Sequence, residues 1–377
     1  MPDPAVSLLR DLISIDSVNP TLVPGAAGEA KLAERVADEL QRAGLDVTVR
    51  EAAPGRPNVV GVLDGRDDGP TLMLCGHLDT VGVEGMSAPF DPVLRDGRVY
   101  GRGAQDMKGG LAAMLDAAGR IARGGSLRAG RLVVAALADE EAMSVGAEAL
   151  VKEWRADAAV IGEPTSLEIA VGHKGFAWLE VVTEGRAAHG SRPADGRDAI
   201  AHAGRVLGEL EALDRRLREG PAHPLVGTGS LHASFVNGGR EWSTYPDRCS
   251  LKYERRTAPN EDGALALAEA KAILDRLRTA DPDFRAEARL DFERSPYVTP
   301  AAHPLPALLE ECLGRKAPRT AMSFWTDAGL LGPAGIPCVV FGPGGAGLHS
   351  AEEYVLVDDV LACRDAFERL APRYCAG

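Results

Sequence analysis

The hydrophobic and polar positions of this chain follow two periods, and each period predicts a different kind of element. Short apolar runs that stop at glycine or at a charged side chain indicate buried strands, as in residues 72–75. Apolar side chains three and four positions apart indicate amphipathic helices, as in residues 107–123, 4–14 and 28–43. Gly44 is placed to end the last of these helices. The alternation of strand and helix predicts an α/β fold with a mixed, mostly parallel sheet flanked by helices.

The pattern changes after about residue 175 and returns near residue 296. Between these points the predicted order is strand, helix, strand, strand, helix, strand, and its strands alternate with period two. That order is typical of a ferredoxin-like βαββαβ unit around one antiparallel sheet. We therefore predict that residues 176–291 form an α+β domain, inserted into a first domain made of residues 1–175 and 292–377.

Composition narrows the class of protein. A length of 377 residues suffices for two or three domains with a large core. The net charge of −13, with no long basic run, argues against a nucleic-acid partner. No apolar stretch has the length of a membrane span, and the N-terminus does not resemble a secretion signal. Six scattered cysteines without a CxxC pair are typical of a reducing compartment, so we expect a cytoplasmic protein without membrane partners.

The candidate chemistry lies where predicted strands or a glycine-rich loop end. Two histidines and five carboxylates occupy these positions: His77, Asp79, Asp106, Glu140, Glu141, Glu163 and His349. Taken singly, each has an ordinary structural explanation, such as a helix N-cap for Asp106. Because the carboxyl ends of parallel strands share one edge, their joint occurrence predicts a site. Nitrogen and oxygen ligands without a thiolate suit zinc, cobalt or manganese, and their number suggests two ions bridged by a carboxylate.

Several motifs then carry a family resemblance. They occur in the order GHLDTV, GRGAQDMKGG, ADEE, IGEPTS, AAHGSRP and GLHSAEEYV, and they span residues 75–355. In this order and context the chain resembles the M20 metallopeptidase family. That family includes acetylornithine deacetylases, succinyl-diaminopimelate desuccinylases, aminoacylases and carboxypeptidases. The segment IGEPTSLEIAVGHKG most resembles acetylornithine deacetylase-like members.

The resemblance implies two metal sites. His77, Asp106 and Glu163 would bind one ion. Asp106, Glu141 and His349 would bind the other, so that Asp106 bridges the two. The first domain would then be the metal-binding catalytic domain, and zinc is the expected metal, with cobalt or manganese as alternatives.

The resemblance also implies roles beside the metals. Asp79 would orient the ring of His77, and Glu140 would be the general base for a metal-activated water. His189, in the inserted domain, would stabilise the developing oxyanion in the active site of the other subunit. Arg256 would hold the substrate carboxylate, with the adjacent Arg255 as the alternative.

One segment departs from the family pattern. Ser243 stands three residues before Pro246, where the family often has an asparagine. Part of the missing substrate contact is therefore assigned to Asn237, in the segment FVNGG.

These features together imply a two-metal amidohydrolase that cleaves the amide of an N-acyl amino acid. We expect a homodimer, formed through the inserted domain, which would also act as a lid. Two alternatives belong to the same family: a metal-dependent carboxypeptidase or dipeptidase acting on short peptides, and an N-succinyl-diaminopimelate desuccinylase. A catalytically silent binding protein is a third alternative, and its signature would be a missing base or ligand. None is missing here.

Overall fold

The computed structural model describes residues 3–377, which divide into two compact units. The first unit comprises the described residues up to Val171, together with Thr299–Ala321 and Thr326–Gly377. The second unit comprises Gly172–Val298 and Met322–Trp325.

The second unit extends beyond the predicted range of residues 176–291. Its additional residues include the short strand Tyr297–Val298, which pairs with His173 and Gly172. That pairing holds the two ends of the inserted segment together. The boundaries of the second unit therefore lie outside the points at which the sequence pattern changes.

The helices and strands alternate along the chain much as the sequence predicts. In chain order they are α1 (Pro4–Ile13), α2 (Ala30–Ala43), β1 (Asp46–Ala53), β2 (Arg56–Asp64), β3 (Asp67–His77), β4 (Val93–Arg95), β5 (Arg98–Tyr100), α3 (Gly109–Gly124), β6 (Ala129–Leu137), α4 (Val145–Glu153), β7 (Ala158–Ile161), β8 (Ile169–His173), β9 (Gly175–Glu184), α5 (Ala199–Glu219), β10 (Ser230–Gly238), β11 (Arg248–Thr257), α6 (Gly263–Ala280), β12 (Arg285–Arg294), β13 (Tyr297–Val298), α7 (Leu305–Leu313), β14 (Arg319–Met322), α8 (Ala328–Leu331), β15 (Cys338–Val340), β16 (Gly345–Ala346), β17 (Tyr354–Leu356) and α9 (Val357–Cys375).

The main sheet of the first unit is mixed. Its strands run in the order β1-β2-β6-β3-β7-β15-β8. Strands β6, β3, β7 and β15 are parallel to one another, whereas β1 and β2, β2 and β6, and β15 and β8 pair antiparallel. The prediction of a mostly parallel sheet therefore holds only for the centre. The carboxyl ends of these four central strands lie at one edge, which is where His77, the turn after β6 and Glu163 are found.

Helix α3 approaches the end of β7 so closely that one position requires glycine. A Cβ atom on Gly110 would overlap the main-chain carbonyl of Gly162, the residue before Glu163. Glycine at position 110 lets the start of the helix pack against the strand end. That packing brings the turn before α3, which carries Asp106, next to Glu163.

The second unit has a core of its own. Its four strands form an antiparallel sheet in the order β10-β11-β9-β12. Alternate side chains of the strands, such as Leu179, Val181 and Leu251, pack against α5 and α6 through residues that include Val206 and Ile273. The element order is strand, helix, strand, strand, helix, strand.

Two findings bear on the expected cellular compartment of the protein. All six cysteines are buried free thiols, a state that fits a reducing environment. Across residues 3–377, no helix is long and apolar enough to cross a membrane. A cytoplasmic location stays a prediction.

Candidate metal centre

His77 is the last residue of β3. One of its ring nitrogens is hydrogen-bonded, and the other faces two carboxylates. Its Nδ1–H donates to the main-chain carbonyl of Asp79 at 2.9 Å, and the Asp79 carboxylate lies 3.6 Å from the same nitrogen. Its Nε2 lies 3.1 Å from Asp106 Oδ1 and 3.6 Å from Glu163 Oε1. An unprotonated Nε2 and a carboxylate oxygen are both acceptors. This geometry therefore needs a proton or a cation between them.

Asp106 lies between two imidazoles. Its Oδ1 faces His77, and its Oδ2 is 3.4 Å from Nε2 of His349. The predicted ligands come together as two sets that share Asp106, and within each set the ligand atoms lie within 4.8 Å of one another: His77, Asp106 and Glu163, and Asp106, Glu141 and His349. Each oxygen of one carboxylate is thus available to a different cation.

The second ligand set contains an unsatisfied oxygen. Oε2 of Glu141 lies 3.2 Å from Nε2 of His349, whereas its buried Oε1 has no hydrogen-bond partner among the residues described. A buried carboxylate oxygen without a partner is costly, and cation binding removes that cost. His349 is 54% exposed, so this set opens to solvent, and its φ of 58° is unusual outside glycine.

The carboxylates are crowded. Burial raises the pKa of Glu163 well above its usual value, and the Asp106 carboxylate raises it further. Burial and Asp106 also raise the pKa of Glu141 to about 7, while burial and Glu163 raise that of Glu140 well above normal. Burial alone would raise the pKa of Asp106 too, but hydrogen bonds to two imidazoles lower it. Such an excess of buried negative charge is an environment that divalent cations stabilise.

The pKa values of the two imidazoles are raised as well, because the carboxylates around them favour the charged ring. Burial alone would lower the pKa of His77, but Glu163, Asp106 and Asp79 together raise it well above normal. Hydrogen bonds to Asp106 and Glu141 raise the pKa of His349 to about 10. A cation would therefore compete with a proton at both rings, because a metal ligand must be a neutral imidazole. The residues present fit divalent cations.

The turn after β6 carries Glu140 and Glu141, and Asp79 fixes its main chain. Oδ1 of Asp79 accepts the N–H of Glu140 at 3.1 Å, and Oδ2 accepts that of Glu141 at 3.1 Å. Burial would raise the pKa of Asp79, yet the neighbouring His77 ring and a hydrogen bond from Asn19 keep it low. One buried carboxylate therefore touches both a predicted ligand and the predicted base.

Glu353 holds the turn that bears Asp106, a role that no pattern in the sequence indicated. Its Oε1 accepts the main-chain N–H groups of Gln105 and Asp106, at 2.9 and 3.1 Å. Its Oε2 accepts Gly103 N–H at 3.0 Å and a guanidinium N–H of Arg102 at 2.6 Å. In the sequence it is the second of two adjacent glutamates in a glycine-rich region, a pattern that indicates a solvated turn.

The structure separates the two candidate arginines in β11. Arg255 is buried, and its guanidinium lies 3.1 Å from both Glu261 and Glu269. The side chain of Arg256 is 32% exposed, and its Nε lies 2.6 Å from Glu254. Period-two alternation could have made this distinction. Arg255 continues the inward series that contains Leu251 and Tyr253.

His189 and Asn237 are exposed residues of the second unit. Nδ1 of His189 accepts the main-chain N–H of Ser191 at 3.2 Å and lies 2.8 Å from its hydroxyl. Since Nδ1 is an acceptor, the neutral ring carries its proton on Nε2, which can then donate to an anion. Asn237 lies on the edge strand β10, opposite Ser250 of β11.

Fold and site define the class: an α/β protein whose two adjoining ligand sets share one carboxylate and can hold divalent cations. The chain belongs to peptidase family M20/M25/M40, whose sequence profile matches residues 73–373. The predicted family is therefore confirmed, and with it a metal-dependent hydrolase.

Individual proteins resemble this chain in sequence or in fold. An acetylornithine deacetylase from Myxococcus xanthus is 33% identical over 340 residues, which cover 87% of this chain and 86% of that protein. The structure of the aminopeptidase PepT from Bacillus cereus superposes with a TM-score of 0.81 at 19% identity, over 98% of both chains. A dinuclear metal-binding M20 peptidase from Bacillus subtilis, YXEP, gives a TM-score of 0.74 at 15% identity, over 99% of this chain and 98% of that one.

Proposed function

We propose that this chain is a two-metal amidohydrolase that cleaves the amide of an N-acyl amino acid, with acetylornithine-like substrates as the first class to test. The observation that carries the proposal is the position of Asp106, whose two oxygens face His77 at 3.1 Å and His349 at 3.4 Å. The similarity to an acetylornithine deacetylase supports the substrate class.

His77 and Glu163 would complete one cation site with Asp106, and Glu141 and His349 would complete the other. The mixture of imidazole and carboxylate donors favours zinc, with cobalt or manganese as alternatives. When bound, such cations polarise a carbonyl group and lower the pKa of a bound water. The description of a similar M20 peptidase as dinuclear supports two ions for this chain.

Glu140 is the proposed general base. The hydrogen bond from its main chain to Asp79 fixes the backbone beside the ligand Glu141. A carboxylate held there accepts a proton from the water that attacks the amide carbon and delivers it to the departing nitrogen. The carbon–nitrogen bond breaks, and the products are a carboxylic acid and a free amine.

Residues of the second unit would act on the substrate. Arg256 is the proposed ligand of the substrate carboxylate, because its guanidinium is accessible whereas that of Arg255 is enclosed by two glutamates. His189 would stabilise the oxyanion of the partner subunit's reaction, and its available Nε2–H supports that role. Asn237 would supply a further polar contact.

The second unit would be a ferredoxin-like lid and dimerisation domain. Its element order and strand order support that description. One edge strand, β12, is rich in charged residues, whereas β10 exposes Phe235 and Val236 and is followed by a fully exposed Trp242. An apolar edge with unpaired main-chain groups favours pairing with another strand, and a second copy of β10 is the proposed partner.

The proposal is tested by release of free amine from a panel of N-acetylated amino acids, N-succinyl-diaminopimelate and dipeptides. Each substrate is assayed after chelation and again after addition of zinc, cobalt or manganese. We expect metal-restored turnover that favours one acetylated amino acid. Turnover confined to dipeptides would support the peptidase alternative instead. No turnover of any compound with both cations bound would contradict the proposed function.

A further inference from the structure

A buried asparagine ties two carboxylates together beside the metal centre. Nδ2 of Asn19 donates to Asp79 Oδ2 at 2.7 Å and to Asp139 Oδ1 at 3.0 Å. Its Oδ1 accepts the main-chain N–H of Thr21 at 2.8 Å, and Asn19 is completely buried. Both amide hydrogens and the carbonyl oxygen are therefore engaged, which fixes the orientation of the amide.

Arg56 also contacts Asp139, at the turn after β6. Its guanidinium binds Glu29 through two nitrogens, with Nε 2.8 Å from Oε2 and a terminal nitrogen 2.5 Å from Oε1. The same terminal nitrogen donates to Asp139 Oδ1 at 2.8 Å. Glu29 and Arg56 are both buried. A bidentate pair of this kind fixes direction as well as charge.

Together these groups hold three consecutive main-chain N–H groups of the turn that carries the proposed base. The N–H of Asp139 donates to Glu29 at 3.2 Å, and those of Glu140 and Glu141 donate to Asp79. Asp139 has φ of 70°, a conformation that a residue other than glycine keeps only where its surroundings enforce it.

We infer that Asn19 and Arg56 are positioning residues for the reaction: through Asp79, Asp139 and Glu29 they set the place of the general base Glu140 and of the ligand Glu141. Asn19 and Arg56 precede residues 73–373, the segment that the family profile matches. The inference rests on the proposed function, because it assigns a role relative to the base and the cation ligands. Replacing a residue that is needed only for folding would leave kcat per folded molecule unchanged. Replacing a positioning residue would lower it.

The test compares Asn19→Ala and Arg56→Lys with wild type. Arg50→Lys is the matched control, because Arg50 also pairs with a glutamate, Glu153, at 2.7 Å but lies at the surface. For each protein we would measure kcat and KM at saturating cobalt, the dissociation constants of both cobalt ions, and the fraction folded. Arg56→Lys keeps the positive charge and removes only the paired contact of two guanidinium nitrogens with Glu29. It therefore remains informative if Asn19→Ala does not fold.

We expect kcat per folded molecule to fall at least tenfold in both variants, with KM within twofold of wild type. One of the two cobalt ions should dissociate at least fivefold more readily, since Glu141 belongs to one ligand set only. Arg50→Lys should match wild type. A kcat per folded molecule within threefold of wild type, with unchanged cobalt binding, would overturn the inference.

The cobalt titration separates this inference from the proposed function. If wild type released no amine from any substrate, the proposed function would fail by itself. Weaker cobalt binding in the two variants would still support positioning of Glu141, and unchanged binding would refute it.

Discussion

Glu353 accepts a hydrogen bond of 3.1 Å from the main-chain N–H of Asp106, although 247 positions separate the two residues along the chain. Three main-chain N–H groups and one guanidinium converge on this single buried carboxylate. Since Asp106 is the residue that the two ligand sets share, Glu353 links the turn that carries it to the segment that carries His349. The turn of the candidate metal centre is thus held by a residue that is not itself among the predicted ligands.

We predict that Glu353→Gln destabilises the protein and weakens cation binding. Glutamine removes the negative charge that faces Arg102 and points an amide towards main-chain donors. Breaking a buried ion pair in this way costs about 3 kcal/mol. Chemical unfolding would measure the loss of stability, and a cobalt titration should show both ions bound at least tenfold more weakly. Glu352→Gln, one residue earlier and exposed, is the control. Cation affinity equal to wild type in Glu353→Gln would show that the turn does not need this carboxylate.

The two neighbouring arginines of β11 should respond differently to substitution. Arg255→Ala leaves Glu261 and Glu269 beside an empty buried position, so we expect a loss of about 3 kcal/mol in the free energy of unfolding. Arg256→Ala should change that free energy by less than about 1 kcal/mol, because its ion pair with Glu254 is partly exposed. Its effect should appear in KM, raised at least tenfold for substrates with a free carboxylate. A KM unchanged in Arg256→Ala would contradict its assignment to substrate binding.

His173 should make the protein sensitive to mild acid. Burial lowers its pKa from the usual 6.5 to about 4, and its Nε2 has no hydrogen-bond partner among the residues described. In the unfolded chain this histidine binds a proton below pH 6.5. In the folded protein it does not bind that proton until the pH falls to about 4. Stability from this group is present above pH 6.5 and is lost as the pH falls towards 4.

The variant His173→Gln should remove this dependence. Between pH 7.5 and 4.5, the free energy of unfolding of wild type should fall by about 2 kcal/mol more than that of His173→Gln. Urea unfolding at both pH values would measure the difference, and His232→Gln, at the exposed edge of the second unit, is the control. Equal pH dependence in wild type and His173→Gln would mean that the buried ring takes up its proton without cost.

The edge strand β10 gives a prediction about assembly. Sedimentation velocity at micromolar concentration should show a dimer for wild type and a monomer for Phe235→Lys, because a charge on an apolar edge opposes strand pairing. Leu265→Lys, which alters an exposed leucine of α6, should remain dimeric. A monomeric wild type, or a dimeric Phe235→Lys, would exclude β10 as the contact.

The helices and strands, and the convergence of the candidate ligand residues, were predictable from the sequence because both have local signals. An apolar run that stops at a polar residue, as at His77 and before Glu163, marks the end of a buried strand. Helix α2 likewise ends where its glycine predicts, since Gly44 has φ of 92°. From the order of such strand ends, the convergence of the ligands follows.

The residues that hold the ligands in place were not predictable in this way. Asn19 is 60 positions from Asp79 and 120 from Asp139, and an asparagine before proline is typical of any turn. Glu353 looks like a surface residue beside the exposed Glu352. Their roles arise from contacts between distant segments, and a single sequence carries no signal of such contacts.

The most direct test of the account is to measure bound cations and amine release on the same sample of wild type and of Asp106→Ala. After chelation and reloading with zinc, wild type should bind two ions per chain and recover its activity. Asp106→Ala should bind fewer than one ion per chain and remain inactive, because both ligand sets lose their shared member. Two tightly bound ions in Asp106→Ala, or full activity of wild type after every cation has been removed, would contradict the account.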